Sequence, residues 1–97
     1  MSEQVELAIP QQVLQADRAI EILRVWIVDG TQCVTLAPGV WKDPAAWGIA
    51  LVDLAQHVAN TFEKAHGWNR EEALARLREG IEAEWEYPTD EASGDVT

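Results

Sequence analysis

The segment Ile20-Glu21-Ile22-Leu23-Arg24-Val25-Trp26-Ile27-Val28-Asp29-Gly30-Thr31-Gln32-Cys33-Val34-Thr35-Leu36-Ala37 sets the architecture of this chain. Its first half is β-branched and aromatic, and too short between its boundaries for a typical helix, so it reads as a strand. Asp29-Gly30 then stops it. That dipeptide is the strongest short hairpin signal in the sequence, because a type I′ turn needs positive φ at both central residues. A second strand, Thr31 to Ala37, folds back.

With Asp29 and Gly30 as the loop, Val28 opposes Thr31 and the whole register follows. One face pairs Ile27 with Gln32, Val25 with Val34 and Leu23 with Leu36, and is apolar. The other pairs Trp26 with Cys33, Arg24 with Thr35 and Ile22 with Ala37, mixing apolar, polar and charged groups. The first face is expected to meet the core. The second has no evident partner within the chain.

Working toward the C-terminus, Pro38-Gly39 closes the hairpin and is compatible with a type II turn. Asp43-Pro44 has the form of a helix start, with an Asp cap and proline at the first helical position. Trp47, Leu51, Leu54, Val58 and Phe62 follow at spacings of a single helical stripe, with Asp53, His57, Asn60 and Lys64 opposite. His66-Gly67 ends this helix through a left-handed glycine. Asn69 with Glu72 three residues later resembles a capping box and opens a second helix. Its stripe is Leu74, Leu77, Ile81 and Trp85, and Pro88 bounds it. The short link makes the pair a helical hairpin.

Toward the N-terminus, Val5 to Ile9 form a short apolar patch, and Gln11 to Leu14 can make one helical turn after Pro10. Residues 1–18 therefore read as an arm laid on the domain. Residues 19–87 form a single domain, and 88–97, small, polar and acidic, are expected to be a disordered tail. A lone two-stranded hairpin is marginal, so the fold expected is α+β, ββαα: a β-hairpin and an antiparallel helical hairpin packed on one face of the strands.

Composition narrows the function classes. Asp and Glu number 17 against 7 Lys and Arg, a formal net charge of -10 over 97 residues. That field repels phosphate backbones, which argues against nucleic acid and anionic membrane as partners. Nowhere do about 18 consecutive apolar residues occur, so no membrane span is expected. The single cysteine, Cys33, cannot form an intramolecular disulfide, and a cytoplasmic location is expected.

No constellation for catalysis stands out. Asp53 and His57 stand at i, i+4 on the predicted polar face with no third ligand nearby in sequence, which is an ordinary surface pair. His66 is explained by the helix C-terminal dipole. Cys33 lies on a strand that supplies no base or cation by itself, leaving the reading of a small hydrophobe. Glu79, Glu82 and Glu86 form an acidic stripe without the alternation of a calcium loop. Nucleotide-binding loops, CxxC, HExxH and GxSxG motifs are missing. No catalytic residue, metal ligand or cofactor is assigned.

The run Ile22-Leu23-Arg24-Val25-Trp26-Ile27, the helix start Asp43-Pro44-Ala45-Ala46-Trp47-Gly48 with Leu51 to Ala59 behind it, and Ala83-Glu84-Trp85 with Pro88-Thr89-Asp90 resemble a family of short, acidic, uncharacterised bacterial proteins. That family is classed as a domain of unknown function. The resemblance spans about residues 5 to 90 and implies no catalytic residue.

Two functional readings follow. In the first, the chain is a small non-catalytic interaction module that self-associates as a homodimer, or takes another protein, through its hairpin. Ile22, Arg24, Trp26, Cys33 and Thr35 are then the candidate surface. In the second it is a small enzyme or ligand binder, with a pocket between hairpin and helices that uses Arg24 and Cys33 or His57. The first is favoured, because enzymes need convergent ionisable groups that the sequence does not display.

Overall fold

The computed structural model describes residues 3–89 and the backbone of residues 94–96. After an extended arm and the single turn α1 (Gln11–Gln15) come strands β1 (Leu23–Val28) and β2 (Thr31–Leu36) and helices α2 (Pro44–His66) and α3 (Arg70–Glu86). This is the α+β order that the sequence predicts.

The hairpin has the expected register, from Val28 opposite Thr31 to Leu23 opposite Leu36. Its turn follows from the two residues that form it, Asp29 at φ 49° and Gly30 at φ 83°. The turn after β2 differs from expectation. Gly39 is not at positive φ, so Pro38-Gly39 does not make a type II turn.

Both helix starts are capped by the residues that announce them. Asp43 Oδ1 accepts from the Ala45 amide at 3.0 Å, and Asn69 Oδ1 accepts from the Glu72 amide at 3.1 Å. Gly67, at φ 70°, ends α2 as a left-handed cap, its own amide and that of Trp68 both donating to the Phe62 carbonyl, the latter at 3.3 Å. The joint between the helices is tight because small residues meet there: Ala59 is fully buried and Ala73 nearly so. Arg70 Nε donates to Asn60 Oδ1 at 2.6 Å across it, and the Phe62 and Trp68 rings meet edge-on at 6.0 Å.

Away from this joint the packing is open. Neither long helix brings a Cα within 8 Å of a strand Cα. Ala59 and Ala73 are the only buried apolar residues among those described, and Val25, Ile27, Leu51, Leu54 and Ile81 are all exposed. Trp85, expected in the core stripe of α3, is 86% exposed. Trp41 and Trp47 make a local edge-on pair at 5.0 Å where α2 begins.

Much of the segment expected as a disordered acidic tail, residues 90–93 and 97, lies outside the described residues. The backbone of Gly94–Val96 forms β3, which pairs parallel to Val34–Leu36 of β2 and gives the sheet order β1-β2-β3.

Candidate functional site

The hairpin register places Ile22, Arg24 and Trp26 on the same face as Cys33 and Thr35. Four of these five, Ile22, Arg24, Trp26 and Thr35, line one depression of about 410 Å³, together with Glu21 and Ala37. Cys33 is half-buried beside Trp26 but is not part of its lining.

The face is not bare, as the register alone suggested. Arg24 Nε donates to Glu21 Oε1 at 2.7 Å and its Nη2 to Glu21 Oε2 at 3.0 Å, a bidentate clasp. Its Nη1 reaches Glu6 Oε2 of the N-terminal arm at 3.3 Å. The hydrogen bond from Arg24 holds the Glu21 carboxyl below the ordinary glutamate value, and the same bond raises the guanidinium. The arm thus lies along β1 and forms with it a second, mainly apolar depression of about 500 Å³ that includes Leu7, Ile9 and Trp26.

The enzyme-like grouping does not assemble. Arg24 lines both depressions just described, and neither includes Cys33 or His57. His57 is exposed on α2, and no Cα of that helix comes within 8 Å of a hairpin-strand Cα. With two carboxylates on its guanidinium, Arg24 is also not poised to take a third anion.

A larger feature lies on the helices. A groove of about 1130 Å³ runs along α2 and α3, floored by Ala73 and Gly80 and walled by Leu51, Phe62, Leu77, Ile81 and Trp85. Gln32, at the turn end of β2, is the one strand residue on its rim.

The family model described as Domain of unknown function (DUF5076) matches residues 6–89. The chain belongs to this family. The DUF5076 match takes in the arm's Glu6, the whole hairpin and both long helices. A solved structure from the photosynthetic bacterium Rhodopseudomonas palustrus CGA009, described as a "putative pyruvate dehydrogenase", is 34% identical. It aligns over 100% of this chain and 99% of its own, with a TM-score of 0.72. No curated protein matches the chain. Among the described residues, no helix is long and apolar enough to cross a membrane.

Sequence reasoning passed over two features of this DUF5076 chain. The helical stripes have core periodicity and read from sequence as packed on the hairpin, so the groove between them goes unseen. Ile49 and Val52 were not assigned at all, although with Leu51 and Leu54 they make the start of α2 apolar nearly all round, the mark of a helix covered on more than one side. Both are exposed here.

Proposed function

We propose that this protein is a small, non-catalytic interaction module whose working form is self-associated, with the hairpin as the contact element. One observation carries the reading. The chain exposes 8834 Å², whereas a compact monomer of 10.8 kDa exposes about 5,500 Å². Exposed apolar side chains, among them Val25, Ile27, Leu51, Ile81 and Trp85, contribute to that excess alongside the extended N-terminal arm, and a soluble monomer rarely leaves large apolar patches uncovered.

Within the hairpin, Ile22, Trp26, Cys33 and Thr35 are half-buried and Arg24 is already clasped. Val25 and Ile27, on the opposite face, are 46% and 69% exposed. The Ile22 face therefore serves as a flanking contact, and the Val25 face as the main one. A cytoplasmic setting agrees with the lone Cys33. The name carried by the structural relative adds no residue to this reading, since the one convergent ionisable group among the described residues, Arg24 with Glu21 and Glu6, is a clasp of paired charges and brings in neither Cys33 nor a histidine.

Light scattering over a concentration series tests the reading. The expected result is a mass at least twice 10.8 kDa at micromolar concentration, falling on dilution. A mass that stays monomeric to high micromolar concentration would overturn it.

A further inference from the structure

Resting on that self-associating reading, we propose that the groove between α2 and α3 is the seat for the hairpin of a second copy, each chain lending its Leu23, Val25, Ile27 face to the other's groove. The two surfaces are apolar, and they are not joined within one chain: no helix Cα lies within 8 Å of a strand Cα. Their periodicities mark both as core surfaces, yet in the isolated chain they meet only where Gln32, at the turn end of β2, reaches the groove rim.

Area selects the arrangement. The surplus of about 3,300 Å² per chain, part of it on the extended N-terminal arm, leaves room for the roughly 1,000 to 2,500 Å² per partner that an obligate dimer buries. A single hairpin-to-hairpin contact of standard size covers about 800 Å² per chain and leaves the groove open. A groove-to-groove contact leaves the hairpin open. Reciprocal seating covers both faces with one repeated contact and closes on itself as a twofold dimer.

Gly80 gives an independent reason. Glycine in a helix interior costs about 0.5 to 1 kcal/mol relative to alanine. Nothing in the chain explains it, because a Cβ built there meets no heavy atom within 4 Å. It lies in the middle of α3 and on the floor of the groove. Space kept clear at such a position fits close approach by a strand from outside the chain.

The decisive experiment mixes two variants. Ile27→Glu spoils the hairpin face at a residue 69% exposed in the chain, and Gly80→Leu fills the groove floor with a good helix former, so each leaves the individual fold standing. Each alone breaks both seats of a dimer and is expected to raise its dissociation constant at least 100-fold. In a 1:1 mixture both lesions fall in one seat and the other is intact. A heterodimer at least 10-fold tighter than either variant's homodimer is expected by sedimentation equilibrium.

If Ile27→Glu still dimerises like the wild type, the contact is groove to groove; if Gly80→Leu does, it is hairpin to hairpin. Either result overturns the proposal, as does a mixture no tighter than the variants while the wild type dimerises. A monomeric wild type would instead bring down the self-association reading itself.

Discussion

The two ends of the helical hairpin are made of the same helices and behave differently. At the joint, Ala59 and Ala73 are buried, Arg70 donates to Asn60, and Phe62 meets Trp68 edge-on. At the other end, Trp85 is 86% exposed and Leu51 and Ile81 lie open along the groove. The joint is closed by residues close in sequence, for which loop-closure entropy is small. The open end can be closed only by a surface distant in sequence or on another molecule. Apolar periodicity is therefore a statement that a face will be covered, and says nothing about which chain covers it.

The largest effect that separates the two ends is a pair of substitutions. Ala59→Leu forces a larger side chain into a fully buried position and is expected to destabilise the chain by about 1 to 3 kcal/mol. Trp85→Ala, at a concentration where the protein is dissociated, is expected to stay within about 0.5 kcal/mol of the wild type. Urea unfolding of both at one fixed dilute concentration measures the contrast. A loss of more than 2 kcal/mol for dilute Trp85→Ala would mean that the open end is packed within the monomer, and the comparison would collapse.

This division also governs how much the sequence made legible. The hairpin register followed from Asp29-Gly30, and both helix starts from Asp43-Pro44 and Asn69, because turns and caps are fixed by dihedral preferences and short-range hydrogen bonds. Ile22, Arg24, Trp26 and Thr35 come together on one depression because strand alternation alone puts them there. Arg24's clasp by Glu21 and Glu6 was not legible, since the second partner is 18 residues away on an arm without regular structure. Nor was the openness of the groove. A stripe such as Leu77, Ile81 and Trp85 has the same spacing whether its cover lies in the same chain or in another.

A smaller effect sharpens the account of the joint. Gly67 ends α2 at φ 70°, and a Cβ added there meets nothing within 4 Å. Gly67→Ala should therefore cost only the left-handed backbone penalty, about 1 to 2 kcal/mol, and Gly67→Asn should cost less because its side chain tolerates that region. Thermal unfolding at matched concentration checks both. An alanine variant as stable as the wild type would show that the joint is held by Ala59 and Ala73 with little help from the turn.

The smallest effect concerns the hairpin side, where the arm meets β1. Arg24 donates twice to Glu21 and holds its carboxyl below the ordinary value of 4.5. A carboxyl depressed in the folded state stabilises fully above its unfolded value and loses that contribution as pH falls through the lower folded value. The relevant window therefore lies below 4.5. Glu84, bonded by the hydroxyl and amide of Thr89, shifts in the same direction at the far end of α3. Both groups are exposed, so the gain is modest and weakened by salt. Carboxyl carbon NMR across an acid titration should place the Glu21 midpoint below 4.5 in the wild type, moving up toward the ordinary value in Arg24→Gln while Glu84 stays put. If the Glu21 midpoint is already ordinary in the wild type, Arg24 is not clasped and is left free to meet a partner, which would return the Ile22, Arg24, Trp26 face to first place as the contact surface.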